Sequence, residues 1–262
     1  MTAGGDHKEQ GAFAATPPTA SAGLILGRGV YPDGAVRISS SMSRGDDGIS
    51  IVFVSGYSVL GDALYLANYS AGDDGVIDGG VTRIGGGWGT FVALDETAYA
   101  DTVVRRVNTY GLRNDGTLFR WTVDSNGVWR NKVSATGFAA VKSMTLISTT
   151  RTYDTFLANT RGGALYTIHI PATAPMKPIV KQVRSKTWQG FETLLAQKCG
   201  QYGTLLLGID RDTHTGYLYA VGHATGATTV IQSLGKVPST FSDPVYFHWS
   251  DGNAGSTPPF GE

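Results

Sequence analysis

From Leu24 onward, apolar residues come in short runs of four to eight, separated by Gly, Asp, Asn, Ser and Pro. No stretch shows the i, i+3, i+4 recurrence of an amphipathic helix, so the pattern predicts β-strands joined by tight turns. The clearest example is 110–123. Leu112 ends one apolar run. Asn114-Asp115-Gly116 then suits a tight hairpin, because these residues tolerate positive φ at low steric cost. Leu118-Phe119-Arg120-Trp121-Thr122-Val123 follows as a strand rich in aromatic and β-branched residues.

The same succession returns along the chain. Strands are predicted at 141–147, 153–159, 164–168 and 178–183, then at 205–210, 216–221 and 228–231. An aromatic residue precedes each new cycle. These anchors are Trp88, Phe138, Trp188 and Phe241, and they stand 50, 50 and 53 residues apart. Four strands in a period of that length is the requirement of a β-propeller blade.

The ends of the ordered region predict how such a ring closes. Val245-Tyr246-Phe247-His248-Trp249 is a strand with no blade after it. At the other end, Leu24–Gly27, the hairpin 29–38 and the strand 49–54 supply three strands, with Gly56-Tyr57 in the place of Gly137-Phe138. The C-terminal strand is therefore expected to complete the N-terminal blade, which hides open sheet edges. With Tyr57 as a fifth anchor, the chain reads as an all-β, five-bladed β-propeller with four-stranded blades. One blade, about 57–87, is short. The alternative is a four-bladed ring carrying 57–87 as an irregular insertion. Residues 1–21 read as a flexible arm, 22–250 as the propeller and 251–262 as a polar tail.

Composition narrows the field of functions. Lys plus Arg and Asp plus Glu both number 21, giving a formal net charge of zero. That lends no support to a general nucleic-acid or membrane footprint. The 36 glycines follow no collagen-like period and match the many turns. Cys199 stands alone and reads as a small buried hydrophobe. No basic, apolar leader begins the chain and no apolar run reaches the ~18 residues of a membrane span. A secreted protein whose leader has been removed fits these features.

Catalytic and metal chemistry find little footing. Glycoside hydrolysis needs two facing carboxyls roughly 5–10 Å apart. Asp62, Asp95, Asp154, Glu192 and Asp210 are candidates, but no local pattern pairs any two of them. The histidines, His7, His169, His214, His223 and His248, lack metal-ligand spacing, although His214 and His223 flank one predicted strand. Gly45-Asp46-Asp47-Gly48 and Gly72-Asp73-Asp74-Gly75 read as acidic hairpins rather than calcium loops. No cofactor is expected.

Sugar recognition remains. A sugar offers hydroxyls and one apolar ring face, so a shallow site needs an aromatic platform beside hydrogen-bonding side chains. The anchors Trp88, Phe138, Trp188 and Phe241 are the candidate platforms. The polar groups expected beside them are Asn68, Arg113, Asn114, Asn159 and Asp210, at the ends of second strands. The anchors also have a purely structural reading, as core between blades.

Gly87-Trp88-Gly89-Thr90-Phe91, Trp188-Gln189-Gly190-Phe191 and the hairpin Asp115-Gly116-Thr117-Leu118-Phe119 resemble the blade signature of tachylectin-2-like lectins. The resemblance spans about 22–250. It implies a five-bladed, non-catalytic lectin that binds N-acetylated hexosamines, with one site per blade. The chain also resembles secreted actinobacterial propellers, including lectin subunits of umbrella-shaped toxin particles. That likeness implies cell-surface or cell-wall glycans as partners, together with other subunits of a secreted antibacterial complex. Two other classes stay open: a propeller that only docks proteins, and a propeller glycoside hydrolase.

Overall fold

The computed structural model describes residues 1–48, 50–72, 75–251 and 258–262. The architecture is all-β, with no α-helix among the described residues. Four short strands come first: β1 (His7–Glu9), β2 (Ala12–Phe13), β3 (Thr19–Ala20) and β4 (Leu24–Gly27). β1 pairs antiparallel with β4, and β2 pairs with β3.

Four antiparallel sheets of the propeller-blade type then follow in sequence. The first is built from β5 (Val36–Ser39), β6 (Met42–Asp46), β7 (Val52–Leu60), β8 (Ala63–Gly72) and β9 (Gly75–Gly86). β5 and β6 pair with opposite halves of β7, so together they act as one interrupted first strand. The second sheet is β10 (Phe91–Ala100), β11 (Arg105–Arg113), β12 (Leu118–Val123) and β13 (Trp129–Ala135). The third is β14 (Val141–Thr149), β15 (Tyr153–Thr160), β16 (Leu165–Pro171) and β17 (Ile179–Arg184). The fourth is β18 (Thr193–Cys199), β19 (Gly203–Asp210), β20 (Thr215–Val221) and β21 (Ile231–Lys236). A final strand, β22 (Trp249–Asp251), runs parallel to β6 at the edge of the first sheet.

Among the described residues the blade-type sheets number four, not the five expected from sequence, and none of them is short. The miscount arises at Gly56-Tyr57. That pair lies inside β7 and is neither a turn nor an anchor. Gly56 is there for clearance: a Cβ would lie 2.3 Å from Met42 Sδ. The segments at 76–77 and 81–84 are parts of one strand, β9, whose glycines break the apolar alternation but not the ladder. With β5 and β6 as its first strand, residues 36–86 make a complete four-stranded sheet rather than a short blade or an irregular insertion. Of the expected C-terminal strand 245–249 only Trp249 lies in a strand, β22, which joins the N-terminal sheet. Its partner is β6, in parallel, and not the 24–27 strand. Of the expected strand 49–54, Ile49 lies outside the described residues. So do Asp73 and Asp74 of the second acidic hairpin and residues 252–257 of the tail.

The chain divides into two compact units. One comprises Met1–Gly11, Ala20–Leu94 and Ser242–Thr257; the other comprises Ala12–Thr19, Asp95–Phe241 and Pro258–Glu262. In the first, Val30, Tyr31, Met42, Val54, Ala67, Tyr69 and Val245 form the core. Of residues 1–21, expected as a flexible arm, Met1–Gly11 belong to this unit. His7 is fully buried, its Nδ1 2.5 Å from the Tyr69 hydroxyl, and its ring packs against Tyr31 and Phe247. In the second unit, Leu157, Leu165 and Val183 of the third sheet meet Leu194, Leu206 and Val221 of the fourth. Burying an aliphatic side chain of this size contributes about 1.5–3 kcal/mol.

Candidate functional site

The predicted anchors occupy one repeated position. The loop after the last strand of each sheet folds back onto the turn between that sheet's second and third strands. There the anchor N–H donates to a turn carbonyl, Trp88 to Asp62, Phe138 to Gly116, Trp188 to Gly163 and Phe241 to His214, each at 3.0 Å. All four side chains are buried, with exposures of 5 to 8%. Trp188 lies inside the core between the third and fourth sheets, its ring 5.6 Å from Phe191 and 5.0 Å from Tyr219. The rings are thus packing elements and not open platforms.

The predicted polar partners scatter among different tasks. Asn159 is fully buried and donates through Nδ2 to the carbonyls of Trp188 and Phe191, at 2.8 and 2.7 Å. Its Oδ1 accepts the Ser143 N–H. Arg37 does the equivalent work in the first sheet, donating to the carbonyls of Trp88 and Phe91. Asp210 folds its own turn by accepting the N–H groups of Asp212 and Thr213. Arg113 pairs with Asp115 at 3.0 Å beside the exposed Asn114. Asn68 is exposed in the middle of β8, a third strand, and not at the end of a second strand.

The carboxylates considered for hydrolysis are also engaged. Asp62 accepts the N–H groups of Gly87 and Gly89, and these bonds hold its carboxyl below the usual range. Asp95 is buried and accepts the Leu146 N–H. Glu192 pairs with Lys142 at 2.5 Å and accepts the Arg211 N–H. Asp154 is the hub of a buried cluster. Arg106 grips both its oxygens, at 2.5 and 2.7 Å, and Tyr110, Asn108, Thr97 and Thr149 donate to the same carboxylate. Burial by itself would raise its pKa, but these donors outweigh burial and hold it below the usual range. Glu96 has no motif around it that marks it in the sequence. Burial, with the Asp95 charge beside it, pushes its carboxyl up to about 7.

Cys199 is exposed at the end of β18, contrary to the buried reading. His214 sits in a turn with a φ of 55°, and the ring of His223 faces Tyr202 and Phe260. No cluster of three metal-ligating side chains occurs among the described residues.

A second aromatic group lies in the hairpin of β12 and β13. Phe119 and Trp121 stack at 5.5 Å with planes 24° apart, and Trp129 lies 5.2 Å from Trp121. The two indoles are half-buried. Lys132 Nζ stands 4.6 Å from the centre of the Phe119 ring and 5.7 Å from that of Trp121. The connecting turn carries Asp124, which pairs with the exposed Arg130 at 2.7 Å, and the exposed Asn126. This row joins ring faces to charged and amide groups on a surface hairpin. Trp121 is legible from sequence as a strand residue. Alternation alone does not show which ring of the strand faces the core.

No protein-family model matches the chain, and no curated protein matches it. Among solved structures, it is similar to the WD40 domain of SCAP from fission yeast, with 10% identity, a TM-score of 0.37 and 81% of this chain covered. The chain spans about three fifths of that structure's length, 61%. It is also similar to the complex of the fission yeast SREBP–SCAP binding domains, with 11% identity, a TM-score of 0.33, and coverage of 84% of this chain and 72% of that one.

Proposed function

We propose that the chain is a non-catalytic carbohydrate-binding protein that recognises amino-sugar-containing glycans of a cell surface. The observation that carries this reading is the pair of half-buried indoles Trp121 and Trp129, with the buried Phe119 ring stacked on Trp121 and Lys132 beside them. An indole face takes the apolar face of a sugar ring, while the exposed Asn126 and Arg130 offer an acceptor and donors for its hydroxyl and acetamido groups. The resemblance of the blade signature to tachylectin-2-like lectins supports the amino-sugar class. A secreted setting, as the targeting subunit of an antibacterial assembly, accords with the second resemblance. The platform is the surface row and not the anchors, whose rings are enclosed.

The test is a glycan array run with the wild-type chain and with Trp121→Ala and Trp129→Ala. Saturable binding to N-acetylhexosamine-containing glycans is expected. Each substitution should remove about 1–3 kcal/mol of binding, roughly five- to 150-fold, by analogy with the loss of an aromatic stacking partner. An array without binders, together with no saturable binding to cell walls, overturns the reading. So does unchanged binding by both tryptophan variants.

A further inference from the structure

Residues 258–262, Pro-Pro-Phe-Gly-Glu, lie along the first strand of the third sheet as an added extended segment. Phe260 forms an antiparallel bridge with Ser148. The Thr149 N–H donates to the Pro259 carbonyl at 3.0 Å, and the Gly261 N–H donates to the Ile147 carbonyl at 2.9 Å. On the other side, the Ala224 N–H donates to the Gly261 carbonyl at 2.7 Å. Main-chain bonds of this kind are how an extended peptide augments a sheet.

Side chains then select the sequence. The Phe260 ring lies 5.8 Å from Tyr202 and 6.3 Å from His223, and keeps 40% of its surface exposed. Gly261 passes through a gap that admits no side chain. A Cβ there would lie 2.5 Å from Thr204 Oγ1 and 2.8 Å from the Ile147 carbonyl oxygen. The Glu262 carboxylate is received by the Thr155 hydroxyl and by His169 Nδ1, the latter at 2.6 Å. The Tyr153 hydroxyl donates to the Glu262 backbone oxygen at 2.8 Å. Aromatic, glycine and acidic side chain each meet a separate, matching feature of the second unit.

We infer that the groove formed by β14, β15, His169 of β16, the β18–β19 turn with Thr204 of β19, and the segment 222–224 is a binding site for extended polypeptide segments of aromatic–glycine–acidic sequence on a partner protein. The chain's own 258–262 segment occupies it as an internal ligand. The site does not involve the Phe119–Trp121–Trp129 row, so it stands apart from the proposed glycan site. The occupant's chemistry follows from the contacts. The backbone must be extended to bridge Ser148, the middle residue must lack a side chain, and the third must carry a carboxylate for Thr155 and His169.

A partner's segment has to displace the internal one, which competes at the high effective concentration of a tethered ligand. The experiment uses the full chain and a fluorescein-labelled peptide of sequence Thr-Pro-Pro-Phe-Gly-Glu, followed by fluorescence anisotropy. Gly261→Val forces the internal segment out by the clash with Thr204 and Ile147. It is expected to bind the peptide about tenfold or more tightly than wild type. A peptide with Val in place of Gly should bind neither protein. The pair Phe260→Ala/Glu262→Gln, changed at the partly exposed ring and the carboxylate, gives the same release should Gly261→Val misfold. The inference is overturned if a variant with a wild-type circular dichroism spectrum binds the peptide no better than wild type. Equal binding of the Val peptide overturns it as well. A monomer–dimer equilibrium of the wild-type chain, abolished by Gly261→Val in sedimentation, would assign the occupant to a second copy and overturn the partner reading.

Discussion

Asn159 donates one amide hydrogen to the carbonyl of Trp188 at 2.8 Å, and so fastens the anchor loop after the third sheet to that sheet's second strand. Its other amide hydrogen holds the Phe191 carbonyl, and its oxygen takes the Ser143 N–H. All three bonds are buried. Replacing Asn159 with Ala leaves three backbone groups without this partner, and a buried polar group left unsatisfied costs about 1–3 kcal/mol. The expected loss for Asn159→Ala is therefore several kcal/mol, read as a lower urea midpoint. Asn159→Asp should be no better, because a carboxylate cannot donate to the two carbonyls. A loss below about 1 kcal/mol would contradict the clasp role.

The Arg106–Asp154 pair should behave as a coupled unit. Asp154 is fully buried and Arg106 is only 11% exposed. Removing one partner of a buried pair typically costs about 3–5 kcal/mol, since the other charge remains enclosed. Asp154→Ala and Arg106→Ala should each lose an amount of that order in denaturant unfolding. The double variant should lose clearly less than their sum, because neither charge is then stranded. Additive losses would show that the two side chains act independently.

The tryptophans should separate into two classes. Trp188 is 5% exposed within the core between the third and fourth sheets, so Trp188→Ala should cost about 3–5 kcal/mol of stability. Trp121 and Trp129 are half-buried on a hairpin. Their alanine variants should keep most of the stability and lose glycan binding. Thermal unfolding and glycan binding measured on the three variants give the comparison. Loss of binding by Trp188→Ala at full stability would reverse the assignment.

His7 gives the first unit a dependence on acid. Burial, assisted by the nearby N-terminal ammonium, pushes its pKa down from 6.5 to about 3. The unfolded chain takes up a proton below about 6.5 that the folded chain refuses. Stability from this residue is thus present above pH 6.5 and declines as pH falls toward about 3. The greatest slope is about 1.4 kcal/mol per pH unit. Urea unfolding between pH 7 and pH 4 should show this decline, and His7→Phe should flatten it. A variant with the wild-type slope would place the acid sensitivity elsewhere.

The second half of the chain was the more legible. The hairpin read at 110–123 is β11 turning into β12, and the strands expected at 153–159 and 216–221 agree with β15 and β20 within two residues. There, turn residues and apolar runs coincide, except at 228–231, where the strand begins only at Ile231. In the first sheet they do not. Gly56 looks like a turn but serves packing against Met42, and Ser40-Ser41 interrupts the first strand without ending it. A glycine needed for clearance and one needed for positive φ are identical in a sequence, so the count of five sheets followed. The anchors were legible as a repeat, yet their burial was not. Spacing reports that a position recurs, whereas the hydrogen bond to the preceding turn reports why. The role of 258–262 was hidden for a different reason: its partners, from Ile147 to Ala224, lie far away along the chain.

The loop after every sheet is tied to a turn of that same sheet. A span from a first strand through its anchor, such as 141–188, therefore carries its own latch. Such a span could be copied in tandem without first evolving a neighbour to hold its end, and each copy's sequence could drift while the latch stayed. The main-chain N–H and carbonyl that make the latch are present in every residue. What recurs beneath it is a buried ring, Trp at two positions and Phe at the other two, with side-chain clasps from Asn159 in the third sheet and Arg37 in the first.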